Sequence, residues 1–275
     1  MQQESVAAAV DRPGWWHRKF APQVRIVGRV ERDVLLRAAV VLAIVGAVVF
    51  ATMLVGVLTH SGFQRFDRPV DDWFDTQRDA DRTNVMVVLA TVFGPVGMPI
   101  VVLVVTVAWA LFARHAWRPL VLACGMVLGV MTAQALAPLV RHPRPPIAEM
   151  LLGPDHTFSF PSGHVLGASD FFLIGAFLIA SRTHRRWITV GLFALAALMI
   201  ASQVVSRLYL GYHWLTDTLS SVGLSMMITA LTIAVDTRLT ARVPELAREP
   251  GPATDAVHGP SRRDHTGTRG GPHRV

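Results

Sequence analysis

The sequence predicts an all-α, polytopic membrane protein: six transmembrane helices in a bundle, with a short surface or re-entrant helix before the second span. Three observations lead there. Of the 275 residues, 52% are hydrophobic and 16% charged, with a mean hydropathy of +0.42, a balance richer in apolar and poorer in charged residues than a water-soluble domain carries. The charges are segregated between long uncharged runs, and two of these, Ala38 to Thr59 and Pro119 to Val140, are 22 residues long. About 20 apolar residues suffice to cross the ~30 Å hydrocarbon core of a bilayer. Finally, the basic residues favour alternate segments between the runs, the bias of a chain threaded repeatedly through a membrane.

Residues 1–33 form a basic tail in which Trp15, Trp16, Arg18, Lys19 and Phe20 cluster, a composition suited to an interfacial anchor. It does not read as a cleavable signal peptide, because the first apolar run starts near residue 38, too late and too long. The first span is Ala38 to Thr59. His60 to Asn84 then carries Asp67, Asp71, Asp72, Asp75, Asp79 and Asp81 among Arg65, Arg68, Arg78 and Arg82. Without a calcium-loop spacing, this reads as a solvated amphipathic segment rather than a metal site. Thr83 to Ala113 is uncharged but interrupted by Gly94, Pro95, Gly97 and Pro99, so a short surface or re-entrant helix should precede a span over about 96–113. A basic turn (114–118) leads to the third span, Pro119 to Val140, and a loop over 141–161. The fourth span covers about Ser162 to Ser181, a second basic turn 182–186, and the fifth span Trp187 to about Val205. The sixth starts near His213 and ends near Val235. Pro, Gly, Arg and His dominate the remaining residues, so the chain divides into a tail (1–33), a six-span domain (34–236) and a disordered tail (237–275).

Six spans put both termini on one side. Of the 26 basic residues, 25 of them Arg, 19 lie in the tails and the two short turns and seven in the opposite loops. The positive-inside rule then places both tails in the cytoplasm and the opposite loops outside it. The net charge of +7 is dispersed, with no aromatic-interleaved patch, which argues against a nucleic-acid partner. Cys124, the only cysteine, falls inside an apolar run and excludes an intramolecular disulfide.

The chemistry-bearing stretch is Ser206 to Asp217, SRLYLGYHWLTD, at the mouth of the last two spans. If a helix begins at His213, Asp217 lies one turn on, on the same face and within hydrogen-bonding reach. A carboxylate on one ring nitrogen fixes the tautomer and leaves the other as nucleophile or base. Arg207 adds a fork-shaped cation suited to phosphate. Taken singly, the His–Asp pair could be a surface pair and the arginine a headgroup anchor. Upstream, one loop carries RHPRPP, with Arg144 and Pro145, and FSFPSGH, with Ser162, Gly163 and His164. By itself Pro-Ser-Gly-His is a turn and helix cap.

Arg-Pro, then Pro-Ser-Gly-His, then Ser-Arg-x5-His-x3-Asp, in this order and on one predicted side, resembles the type-2 phosphatidic acid phosphatase family over roughly residues 34–236. The resemblance implies an integral-membrane hydrolase of lipid phosphates or diphosphates: phosphatidate, phosphatidylglycerophosphate or polyprenyl diphosphate. It makes His213 the nucleophile, forming a phospho-histidine, with Asp217 orienting it and His164 as acid and then base. Arg144 and Arg207 would clamp the phosphoryl oxygens, with Ser162 and the Gly163 N–H as further donors at a helix start. No cofactor or metal is implied. The partners are the lipid phosphate and the bilayer, and the active site faces away from the cytoplasm.

One position departs from the pattern. The family's first motif usually begins with Lys seven residues before the Arg-Pro arginine, and here that residue is Ala137. Arg141 and His142 are the nearest cationic replacements, with Arg141 the candidate third phosphate ligand. The departure keeps open a non-catalytic lipid-phosphate binder or transporter. A phosphotransferase using the same intermediate is the other alternative. Asp170, inside the fourth span, is a functional candidate by its position, although a bond to Gln134 or Gln203 of a neighbouring span is favoured.

Overall fold

The computed structural model describes residues 19–183 and 185–243. The anchor residues Trp15, Trp16 and Arg18 lie outside them, as does the tail from residue 244. A two-residue strand, β1 (Arg25–Ile26), precedes α1 (Arg29–Thr59), a 3-10 turn (Gly62–Phe66), and then α2 (Asp67–Thr76), α3 (Ala80–Val92) and α4 (Gly97–Phe112). There follow α5 (Trp117–Val140), a second 3-10 turn (Ile147–Glu149), α6 (Gly163–Ala180), α7 (Arg186–Tyr209), α8 (Leu215–Thr240) and β2 (Ala241–Arg242). The chain is a multi-pass membrane protein: α1, α5, α6, α7 and α8 are each long and apolar enough to cross a bilayer. The pair α3 and α4, bent by 55° at the break that carries Gly94 and Pro95, has the length and apolarity of either a sixth, broken span or a re-entrant segment. The interruption predicted there is present as a sharp bend, and α3 starts earlier than expected because the Asp79 carboxylate caps it by accepting the Arg82 N–H (2.9 Å).

α8 is the axial helix, and its face explains how the others gather round it. Most of its buried positions are small or hydroxylic, among them Thr216, Ser220, Ser221, Gly223, Ser225, Thr229 and Thr237. Such residues let neighbouring backbones approach closely. At the tightest point α1 crosses it glycine against glycine: a Cβ on Gly46 would come within 2.5 Å of the Gly223 carbonyl. Several hydroxyls are satisfied within the helix, as Ser221 Oγ is by the Asp217 carbonyl (2.9 Å). The apolar core, centred on Leu122, Leu166, Ile174, Leu178 and Ile228, fills the space between α5, α6 and α8. The outward faces of α1, α4 and α5 are lined with exposed Val, Ile and Leu, which suits lipid rather than water.

The helix ends divide into two groups. The carboxyl ends of α1, α5 and α7 meet the amino ends of α6 and α8 at one end, with α2 lying across it. At the other end β1 pairs in parallel with β2, and Lys19 Nζ donates to the Ala113 carbonyl (2.6 Å). Both segments next to the tails therefore sit at the end opposite the motifs. The sixth span outruns its expected limit near Val235: α8 continues to Thr240, because Asp236 is buried and accepts the Trp117 indole N–H (2.9 Å).

Candidate active site

The three motif segments meet at one end of the bundle. Two boundaries differ from those expected. The fifth span continues to Tyr209, so Arg207 sits in the last turn of α7, not in a loop. α8 begins at Leu215, which leaves His213 just outside the helix. Arg207 is 3% exposed and stacks its guanidinium 4.6 Å from the centre of the Tyr212 ring. Its Nε has no hydrogen-bond partner.

Arg144 is held from several sides. Nε donates to the Thr157 carbonyl (3.1 Å), Nη2 to Thr157 Oγ1 (2.9 Å) and to Asp155 Oδ2 (3.0 Å), and Nη1 to the Tyr212 carbonyl (2.7 Å). Asp155 in turn accepts from the Thr157 N–H (2.9 Å) and hydroxyl (2.8 Å). Burial works to raise the Asp155 carboxyl, but these donors and Arg144 outweigh it and hold it below its ordinary value. Burial lowers the Arg144 guanidinium, with Asp155 and Asp217 opposing.

Arg144 Nη1 also lies 3.2 Å from His213 Nε2, while His213 Nδ1 lies 2.9 Å from the Ser159 carbonyl. A guanidinium only donates and a carbonyl only accepts. The ring is therefore the Nδ1–H tautomer, with its Nε2 lone pair turned toward Arg144. Burial pushes His213 down to about 4; Asp217 opposes this, and Arg144 and Arg207 add to it. The imidazole is neutral at pH 7.

Asp217 is fully buried, and its partners differ from the expected direct bond. Its Oδ2 is 3.6 Å from His213 Nδ1, an ion-pair distance rather than a hydrogen bond. That oxygen instead accepts from the Trp214 N–H (2.8 Å) and, through a short contact, the Ser159 hydroxyl. Oδ1 accepts from His142 Nδ1 (2.8 Å). Ser159 thus mediates between carboxylate and imidazole, its hydroxyl on Asp217 and its carbonyl on His213. The helix bearing Asp217 is anchored by Asp67, which accepts from the Thr216 N–H (2.9 Å) and hydroxyl (2.7 Å).

A cavity of about 390 Å³ opens beside these groups, lined by His164, Arg207, Tyr212, Asp155, Ala90 and Leu152, among others. His164, in the first turn of α6, meets the Ala90 carbonyl and is within electrostatic range of Arg207, His213 and Arg144. His213 and Arg144 stand behind that lining, joined to it through Tyr212 and Asp155. Gly163 opens α6 and is exposed. Ser162 is fully buried below the helix start, its backbone N–H on the Asp217 carbonyl (3.4 Å) and its Oγ without a partner.

Other expectations are corrected. Arg141 ends α5 in the left-handed region (φ 53°), exposed, with Nε turned back to the Pro138 carbonyl (3.0 Å). It is not among the residues that line the cavity. Asp67 and Asp71 are buried, not solvated. Asp170 bonds neither expected glutamine: Gln134 is exposed and Gln203 donates to the Leu89 carbonyl (3.3 Å). Its carboxyl faces Ser225 of α8 and fills the space a side chain would need at Gly129 of α5. The sequence alone did not single out Ser159, Asp155 or Thr157, placed Asp67 only in a solvated segment, and offered His142 only as a cationic replacement for the missing lysine. Ser159 and His142 sit inside FSFPSGH and RHPRPP, and their motif position was the available signal.

Fold and site together define a polytopic membrane protein with a histidine–arginine cluster beside a cavity at one end of its bundle. The family model described as the PAP2 superfamily matches residues 118–241, the span that holds every motif residue. Over those residues the chain is similar to the PAP2 superfamily. Phosphatidylglycerophosphatase B of Bacillus subtilis (strain 168) is 23% identical over 147 residues, 52% of this chain and 68% of that protein. The crystal structure of a transmembrane PAP2-type phosphatidylglycerolphosphate phosphatase from Bacillus subtilis matches with a TM-score of 0.63 at 19% identity, over 71% of this chain and 98% of that one. That likeness is one of fold.

Proposed function

We propose that this chain is an integral-membrane phosphatase that hydrolyses a lipid phosphate or diphosphate through a phospho-histidine on His213. One observation carries the reading: His213 is a neutral Nδ1–H imidazole whose Nε2 lone pair meets Arg144 at 3.2 Å, beside a cavity lined by Arg207 and His164. A phosphoryl group entering there draws Arg144 Nη1 onto one of its oxygens and uncovers Nε2. Arg207, with its unpartnered Nε, takes another oxygen. Charge neutralisation and positioning are most of what phosphoryl transfer asks of a protein.

Nε2 attacks phosphorus, the bond to the leaving oxygen breaks, and His164 gives that oxygen a proton. His164 then takes a proton from water, whose oxygen attacks phosphorus; the P–N bond breaks and phosphate leaves. Asp217 stabilises the cationic ring through Ser159 and its own charge, as an orienting rather than a reacting group. Ser162 acts on the site through the α6 start. The substrate class follows the named relatives, with phosphatidylglycerophosphate the first candidate. With 19 basic residues on the tail side, the site faces away from the cytoplasm.

The test is phosphate release by the purified protein from phosphatidate, phosphatidylglycerophosphate and a polyprenyl diphosphate, each with and without EDTA. Turnover on at least one lipid, lost in His213→Ala, is expected. Near-normal release by His213→Ala in EDTA would contradict the mechanism. Capture of the phosphoryl group by an added lipid hydroxyl would favour the transferase.

A further inference from the structure

The end of the bundle remote from His213 holds three arginines that the proposed chemistry does not use. Arg25 comes from the segment before α1, Arg118 from the first turn of α5 and Arg182 from the turn after α6. They converge around Gln23 and Asp236. Arg118 Nη2 donates to Gln23 Oε1 (2.8 Å) and Arg182 Nη2 to the Gln23 carbonyl (3.1 Å). Arg25 Nη1 donates to the Ser181 carbonyl (2.7 Å) and to Glu31, which is 55% exposed (3.3 Å). Asp236 is 1% exposed, and one of its oxygens is already taken by the Trp117 N–H.

Capping the last carbonyls of α6 accounts for Arg25 Nη1, but not for the rest. Arg25 Nε, Arg25 Nη2 and Arg182 Nε are buried with no hydrogen-bond partner. Buried guanidinium donors are ordinarily satisfied. Arg118 also stands at a helix amino end, where the backbone dipole disfavours a cation. Burial lowers the Arg182 guanidinium, with Asp236 opposing and Arg118 and Arg25 adding to the effect. Three cations against one buried carboxylate leave an excess of positive charge and of fork-shaped donors. A tetrahedral oxyanion supplies the acceptors that such donors lack.

We propose that Arg25, Arg118 and Arg182 form a binding site for a phosphate-type oxyanion, such as a phospholipid headgroup presents, at the end of the bundle opposite His213. The site anchors the segment before α1 to the membrane face on which the tails lie. It stands whether or not His213 is catalytic.

The test uses the full chain in nanodiscs, with Arg207→Gln in every sample to weaken anion binding at the other end. One arm holds phosphatidylcholine alone and titrates inorganic phosphate by thermal shift. The other replaces part of the lipid with phosphatidylglycerol and counts retained anionic lipid by native mass spectrometry. Arg118→Gln and Arg182→Gln should each weaken binding about tenfold or more. Asp236→Asn keeps an acceptor for Trp117 and removes a negative charge, so it should tighten binding by roughly threefold. Binding in the lipid arm alone makes the ligand a headgroup, and binding in the phosphate arm alone makes it a free anion. Arg182→Lys, which keeps the charge, distinguishes lost binding from lost folding by retaining most of the affinity. Unchanged binding in both Gln variants, or loss of binding in Asp236→Asn, would overturn the proposal.

Discussion

Replacing His142 by alanine should slow the enzyme without reaching any reacting atom. Its Nδ1 donates to Asp217 Oδ1 at 2.8 Å, with both side chains buried (4% and 0% exposed). The other carboxylate oxygen keeps Trp214 N–H and the Ser159 hydroxyl, so one of three donors to a buried charge is lost. A hydrogen bond to a charged group contributes about 1.5–3 kcal/mol. Expressed fully in the transition state, that lowers kcat/KM by about 10- to 150-fold. Since His142 faces Asp217 and is not among the residues lining the cavity, the loss should fall on kcat with KM little changed. His142→Asn places an amide N–H where Nδ1 was and should recover activity to within about threefold to tenfold of the original. Steady-state phosphate release on one lipid, with Tm measured for each variant, makes the comparison. A His142→Ala protein as fast as the unaltered one would refute the linkage from His142 through Asp217. So would an equally slow, well-folded His142→Asn protein.

Four further outcomes are expected. Arg141→Ala should change kcat/KM by less than about threefold, because its guanidinium points back along α5, and Ala137→Lys should then rescue nothing; kinetics of the single and double variants checks both. With His213 at about 4, protonation of the nucleophile should lower kcat/KM, corrected for the substrate's own ionisation, only as pH drops through about 4, not near 6.5. Asp71 is pushed up to about 7 by burial and by the Glu149 carboxyl it faces, above its unfolded value of roughly 3.9, so the folded chain holds an extra proton between those values. Stability from this group is then present at low pH and lost as pH rises through 7, and the Tm of Asp71→Asn should gain on the unaltered protein between pH 5 and pH 8. In the Cys124→Ala background, an impermeant thiol reagent on intact cells should label His156→Cys and not a cysteine at 182–186; the reverse would invert the orientation.

Much of the fold was readable because hydropathy and charge segregation act on whole segments. The runs at 38–59 and 119–140 lie within α1 and α5, although α1 begins earlier, at Arg29, inside the stretch read as a tail. Misplacements occurred where a charged residue continues a helix. Arg207 and Asp236 each looked like the end of a span, yet both are buried by partners outside their own helical turn, Tyr212 and Trp117. The break at Gly94 and Pro95 was visible because glycine and proline interrupt a helix wherever the run lies. At the site, spacing led to His213, Asp217 and Arg207, and the family resemblance to His164 and Arg144. It could not show that Asp217 reaches His213 through Ser159, since that depends on a loop 54 residues upstream folding over α8. Arg141 was the converse error. Proximity in sequence suggested a phosphate ligand, but the exposed guanidinium is turned back to the Pro138 carbonyl.

The account stands or falls on a covalent bond between phosphorus and His213. Rapid quenching during turnover of a radiolabelled lipid phosphate, followed by peptide mapping under alkaline conditions that preserve phospho-histidine, looks for that bond. His164→Ala should slow its hydrolysis enough for label to accumulate. The expectation is label on the peptide holding His213, absent in His213→Ala. Label on any other residue, or sustained phosphate release from a protein that never carries it, would contradict the mechanism.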